Sequence, residues 1–188
     1  FMVWFDLATK LGGKQKGLHF HTKVVLLLTA GLLVFGTVAS LWTEYNNPGT
    51  IGNLSFGDKL LVSFFQTVSM RTAGFASIDY TAARPVTLFI YLLQMFLGGA
   101  PGGTAGGLKI TTFLVLLLFA RKEILGLPHT NMGRRTLAPQ LVQKAFGVTV
   151  IFQMTFLLGL LALGLVTDSS HRFIYLIFET VSALATVG

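Results

Sequence analysis

The chain has 188 residues, of which 53% are hydrophobic and only 11% charged, with a mean hydropathy of +0.71. Globular domains average about 25% charged residues, so a soluble enzyme, a disordered tail and a secreted module are all excluded for want of polar surface. Cysteine is absent and the formal net charge is +7, which removes disulfides and thiolate metal sites. Most basic residues flank long apolar runs, as in a membrane protein, rather than forming a nucleic-acid surface.

The opening residues Phe1-Met2-Val3-Trp4-Phe5 are apolar, and the basic residues come after them, the reverse of a signal peptide. They read as the tail of one membrane helix in an internal piece of a longer membrane protein. Val24 to Trp42 contains no charge. At 1.5 Å per residue this run spans roughly 30 Å, the hydrocarbon thickness, and predicts a transmembrane helix. Trp42 and Tyr45 supply an interfacial belt, and Asn46-Asn47-Pro48-Gly49 a turn.

The next apolar run, Leu60 to Met70, is too short to cross. It predicts a buried, interfacial or re-entrant helix. The run from Val86 to Ala120 holds one charge, Lys109, and is too long: a continuous helix would reach about 50 Å. Its middle, residues 98–107, has six glycines and a proline, where helix propensity collapses. The break therefore falls at membrane depth, where irregular backbone must be buried in protein or line a watery path.

Residues 121–144 form a polar loop with Arg121, Lys122, Arg134, Arg135 and Lys144. A second span, Ala145 to Val166, follows, and then a short apolar tail from Arg172 to Gly188. Lys10, Lys14, Lys16 and Lys23 precede the first span. If residues 60–75 dip in and return, both basic blocks lie on one side, the cytoplasmic one by the positive-inside rule.

An internal repeat organises these runs. Phe65-Gln66-Thr67-Val68-Ser69 corresponds to Phe178-Glu179-Thr180-Val181-Ser182. Thr72-Ala73-Gly74 then corresponds to Thr186-Val187-Gly188, with one residue inserted in the second copy. The unit is an outer helix, a short pore helix, Thr-x-Gly and an inner helix. The chemistry suits a dehydrated alkali cation. Backbone carbonyls can replace its water, glycine permits the required dihedrals, threonine adds a hydroxyl, and the carboxyl end of a short helix directs partial negative charge at the ion.

Residues 67–75, 98–109 and 178–188 resemble the Trk/Ktr/HKT superfamily of potassium transporters. His21-Thr22-Lys23 is similar too, most closely to the bacterial Ktr-type membrane subunit. The resemblance runs through the whole chain. It implies an all-α, potassium-channel-like membrane protein built from pore repeats. By it, residues 1–19 are the end of an inner helix and a cytoplasmic linker. Residues 20–120 are the complete third repeat with its broken inner helix, 121–139 a cytoplasmic loop, and 140–188 an incomplete fourth repeat ending at its filter. The filter positions are Thr72, Ala73, Gly74, Thr186, Val187 and Gly188, with K⁺ at Thr72, Gly74, Thr186 and Gly188. The gate loop is Gly98, Gly99, Ala100, Pro101, Gly102, Gly103, Thr104, Ala105, Gly106 and Gly107, with Lys109 at its end adding a positive barrier. A homodimer, a cytoplasmic nucleotide-binding regulatory subunit and a bacterial plasma-membrane location are also implied.

Other constellations are weak. Gly102 and Gly107 have phosphate-loop spacing, but Leu108 separates Gly107 from Lys109 and no strand precedes them. His19, His21, His129 and His171 lack metal-ligand spacing. No G-x-S-x-G is present. Arg71 and Glu179 lie at pore elements, where charges are often paired or functional. Arg71 is expected either to brace the filter through an acidic or carbonyl partner, Glu179 being one candidate, or to reach the interface. The expected function is K⁺ uptake without covalent chemistry, with Na⁺ the other candidate cargo and no nucleic-acid partner. The alternatives are an ion-coupled secondary transporter with discontinuous helices and a midplane substrate site, and a structural membrane subunit without a pore.

Overall fold

A computed structural model describes residues 2–11, 17–101, 105–133, 135–167 and 173–188. Seven helices account for nearly all regular structure among them: α1 Met2–Leu11, α2 Phe20–Glu44, α3 Phe56–Ser69, α4 Pro85–Phe96, α5 Ile110–Ile124, α6 Pro139–Val166 and α7 Phe173–Leu184. One two-residue ladder pairs β1 (Asn131–Met132) with β2 (Arg135–Thr136), antiparallel.

Helices α2 and α6 are long and apolar enough to cross a membrane. Both start earlier than the charge-free runs suggested. Proline at the start of α6 suits a first turn, where the missing N–H costs nothing. Helix α6 is apolar on every side yet buries only Val142 and Ala145. Ile151, Leu158, Leu161 and Leu165 lie open. A helix that is apolar all round belongs in a core or in lipid, and this one is not in the core.

Helix α2 turns a small, polar stripe inward: Gly36, Thr37, Ser40 and Glu44 are buried. Gly36 is the close-approach point. A Cβ there would stand 1.6 Å from the Gln94 amide nitrogen and 2.6 Å from a Thr67 methyl, so α3 and α4 both close onto α2 only because the side chain is missing. Small residues at four-residue spacing are the usual way to bring membrane helices together. One turn on, the Ser40 and Tyr91 hydroxyls share a hydrogen bond of 2.6 Å.

Glu44 closes this end of the stripe. It is 1% exposed. Its Oε1 accepts from the Arg84 N–H at 2.9 Å and from the Thr87 hydroxyl, and its Oε2 from the Thr50 hydroxyl at 2.7 Å and the Asn47 amide. One carboxylate thus joins the end of α2, the following turn and the start of α4. Lys59 is also buried there: its ammonium donates to the Tyr45 carbonyl at 2.8 Å and lies over the Tyr45 ring.

The long third run is broken as its length requires. Helix α4 ends at Phe96 and α5 begins at Ile110. The two ends of the intervening loop are zipped together. Gly98 N–H donates to the Leu108 carbonyl at 2.8 Å, Leu108 N–H to Phe96 at 3.0 Å, and Ile110 N–H to Gly99 at 3.3 Å. The polar loop 121–144 is shorter than the sequence suggested, because α5 runs to Ile124, the β1–β2 hairpin fills its middle and α6 starts at Pro139.

Candidate functional site

Helices α3 and α7 are the two copies of the short repeat helix, 14 and 12 residues long. Each is too short to span a bilayer. Ser55 caps α3: its hydroxyl accepts the Asp58 N–H at 3.3 Å and donates to the Asp58 carboxylate at 2.7 Å.

Beyond each helix the backbone makes the same kind of turn. Thr72 and Gly74 have φ of +76° and +74°, and Thr186 and Gly188 have +56° and +101°. These are left-handed residues at positions i and i+2 of each Thr-x-Gly. Left-handed backbone is uncommon outside glycine, and uncommon above all for a β-branched residue. Among the described residues only Thr72 and Thr186 adopt it without being glycine. Strain of this kind, of order 1–3 kcal/mol per residue, persists where the surroundings enforce it and concentrates at functional sites.

The enforcing contacts repeat as well. The Ser69 hydroxyl donates to the Phe75 carbonyl at 2.6 Å, and the Ser182 hydroxyl to the Gly188 carbonyl at 3.1 Å, each six residues on. Gly74 N–H returns to the Ser69 carbonyl at 3.2 Å and Val187 N–H to the Ser182 carbonyl at 2.9 Å. The extra residue of the second copy is therefore absorbed between Ser182 and Thr186. Gln66, fully buried, adds a pin in the first copy. Its carbonyl accepts from the Ser77 N–H and hydroxyl at 3.1 and 2.8 Å, and its amide donates to the Tyr80 hydroxyl. Further along, the Thr81 hydroxyl and N–H hold the Asp79 carboxyl below the ordinary carboxylate range.

The two turns lie against each other. A Cβ on Gly74 would sit 2.1 Å from the Val187 carbonyl oxygen, so backbone meets backbone with no room for a side chain. Behind them Met70, Tyr91, Met95, Val181, Ala185 and Val187 pack as one core. Val187 is buried and Ala73 exposed, while Thr72 and Gly74 are half-buried and Thr186 and Gly188 exposed. The apolar side chain of the second turn thus anchors it from behind.

The glycine-rich loop touches this pair. Gly106 N–H donates to the Thr186 hydroxyl oxygen at 2.9 Å. A Cβ on Gly106 would stand 2.6 Å from the Ala185 carbonyl. Gly98, at the other end of the loop, is buried, and its carbonyl accepts from an Arg71 guanidinium nitrogen at 3.3 Å. The Lys109 ammonium folds back to the Ala105 carbonyl. Gly102, Gly103 and Thr104 lie outside the described residues.

Of the partners expected for Arg71, the carbonyl is the one seen. Arg71 finds a carbonyl partner, but Glu179 is exposed on α7 and forms no ion pair with it. Arg71 instead ties the first turn to the neck of the loop, and its other terminal nitrogen, Nη1, is buried with no hydrogen-bond partner among the described residues. No cluster of three or more His, Asp or Glu suited to a metal occurs among the described residues. The sequence reading missed Glu44, because nothing local marks a glutamate at a helix end as buried. A signal was available in the hydroxyl and amide residues Asn47, Thr50 and Thr87, but their convergence is tertiary.

Two apolar helices of spanning length, two short helices ending in strained Thr-x-Gly turns and a broken helix between them define a helical membrane protein of the ion-transport class. The comparisons agree. The TrkH family, described as cation transport protein, matches residues 5–188. The chain is similar to Ktr system potassium uptake protein B of Bacillus subtilis (strain 168), with 37% identity over 188 residues, covering 100% of this chain and 41% of that protein. Its counterpart in Vibrio alginolyticus is 37% identical over 177 residues, 93% of this chain and 38% of that protein. Potassium/sodium uptake protein NtpJ of Enterococcus hirae is 33% identical over 191 residues, 100% of this chain and 42% of that protein. The chain belongs to the TrkH family of cation transport proteins. It spans about two fifths of the length of these relatives.

Proposed function

We propose that the protein containing this chain takes up K⁺ across the plasma membrane of a bacterium, with Thr72–Gly74 and Thr186–Gly188 as two segments of its selectivity filter and residues 98–109 as the gate. The observation that carries this reading is the matched left-handed pair in each Thr-x-Gly, in two turns whose backbones touch. Alternating the hand of successive residues turns successive carbonyls toward one side. A row of such oxygens substitutes for the water an alkali cation must shed. Thr72 and Thr186 bring a hydroxyl to the same row, and Gly74 and Gly188 keep it free of side chains. The carboxyl ends of α3 and α7 point partial negative charge toward the cation.

In this reading residues 20–120 are the third pore repeat, 140–188 the start of the fourth, 1–19 the end of an inner helix with its linker, and 121–139 a cytoplasmic loop. The loop between α4 and α5 blocks the path when it is held to Thr186 and Arg71, and opens it when released. Lys109 places a positive charge beside the path in the blocked state. The transport involves no covalent chemistry. The protein is a multi-pass homodimer that binds a cytoplasmic nucleotide-binding regulatory subunit. Na⁺ is the alternative cargo, since one relative is named for both ions.

The test is rescue of a bacterial strain lacking its own K⁺ uptake systems by the full-length protein with its regulatory subunit. Growth at low K⁺, with saturable uptake of a K⁺ tracer, is the expected result. Normal membrane insertion without K⁺ or Na⁺ uptake would overturn the proposal.

A further inference from the structure

A cavity of about 320 Å³ lies apart from the Thr-x-Gly turns, between the first turns of α2 and α6, the body of α5 and the β1–β2 hairpin. That is within the size of pockets that hold small ligands, about 300–1,000 Å³. Its walls are apolar, with Val24, Leu114, Val115, Leu141 and Val148 among them, and Lys144 and His21 line it too. The Arg135 guanidinium stands 5.3 Å over the ring of Phe20, another lining residue. Among the described residues, no carboxylate lines the cavity.

Depth gives this charge pattern a meaning. Helix α6 has 28 residues and is about 42 Å long, against about 30 Å of hydrocarbon. If the excess is shared between its ends, about the first turn lies among the headgroups. Lys144 then sits at the hydrocarbon boundary and Val148 one turn below it. The cavity is thus cationic where phosphates are and apolar where acyl chains are.

We infer that this cavity binds an anionic phospholipid of the leaflet on the basic side, its phosphate held by Lys144 and Arg135 and the upper part of one acyl chain lodged against Leu114, Val115 and Val148. Basic pockets between membrane helices on the cytoplasmic side select anionic headgroups in this way, and the lysine stem can lie along apolar surface with its ammonium at the interface. Thr111 and Thr112, in the first turn of α5, also line the cavity. A lodged lipid would therefore press on the arm that carries the 98–107 loop. The inference needs only that α2 and α6 cross the membrane and does not depend on the ion path.

The experiment uses the full-length protein, delipidated in detergent and then exposed to phosphatidylglycerol or phosphatidylcholine, with retained lipid counted by native mass spectrometry. The expected result is preferential retention of phosphatidylglycerol, falling about fivefold for each charge removed in Lys144→Gln and Arg135→Gln. Val148→Trp, which fills the cavity without changing charge, should also abolish retention, whereas Arg121→Gln should leave it intact. Size-exclusion profiles confirm that each variant is folded. Equal retention of both lipids by the unaltered protein would overturn the inference. So would undiminished retention in the Lys144→Gln/Arg135→Gln double variant, or a photoreactive phosphatidylglycerol that labels neither α5 nor α6 because another segment of the full chain fills the cavity.

Discussion

The backbone N–H of Gly106 donates to the side-chain oxygen of Thr186 across 2.9 Å. The two residues are 80 positions apart, one in the glycine-rich loop and one in a strained turn. A hydroxyl oxygen that accepts this bond has less to offer a cation. In the proposed reading, loop position and ion binding at Thr186 are therefore coupled through one atom.

Thr186→Val removes that acceptor while keeping the shape. A neutral hydrogen bond contributes about 0.5–1.5 kcal/mol, so the loop's hold should weaken by roughly twofold to thirteenfold. In proteoliposomes containing the full-length protein without its activating stimulus, basal K⁺ flux should rise, and Thr186→Ser should return it toward the original level. Gly106→Ala should raise basal flux as well, because its Cβ cannot fit 2.6 Å from the Ala185 carbonyl. Unchanged basal flux in both Thr186→Val and Gly106→Ala would show that the contact does not restrain the loop.

Arg71 holds the Gly98 carbonyl at 3.3 Å and does not pair with Glu179. Arg71→Gln should disturb transport, while Glu179→Gln should leave it within about twofold, as expected for an exposed charge with no close partner among the described residues. The charge-swapped double variant should behave like the Arg71 single variant. Recovery of activity in the swap would mean that the two charges meet during the transport cycle.

Glu44→Gln replaces a fourfold acceptor with a group that has one acceptor and one donor. The Thr50 hydroxyl and Asn47 amide, or the Arg84 N–H and Thr87 hydroxyl, would then face an N–H₂ group. Leaving buried donors unsatisfied costs about 1–3 kcal/mol. Thermal unfolding of the purified protein should shift downward by several degrees, with the ratio of K⁺ to Na⁺ flux unchanged. A selectivity change without loss of stability would give Glu44 a part in the path itself.

The break at 98–107 was legible because six glycines and a proline at membrane depth admit no continuous helix. The short helices α3 and α7 were legible from length and from the repeated Phe-x-Thr-Val-Ser. The left-handed threonines could be read only as part of a motif, since a threonine carries no local signal for positive φ. The pairing of Arg71 could not be read. Its partner is the backbone carbonyl of Gly98, and any residue there would present the same group. Nor could the β1–β2 hairpin, where two residue pairs close a turn around Gly133 at φ +64°. Its strands are too short to show a periodicity.

The central claim is that the touching Thr-x-Gly turns line the ion path. Gly74 tests it most directly, since its Cβ position falls 2.1 Å from the Val187 carbonyl. The measurement is the ratio of K⁺ to Na⁺ flux into proteoliposomes holding the full-length protein or its Gly74→Asp variant, with membrane insertion and thermal stability checked in parallel. The account predicts a folded variant whose K⁺ flux collapses or whose K⁺ preference is lost. A folded Gly74→Asp protein with the original flux and the original ion ratio would contradict it.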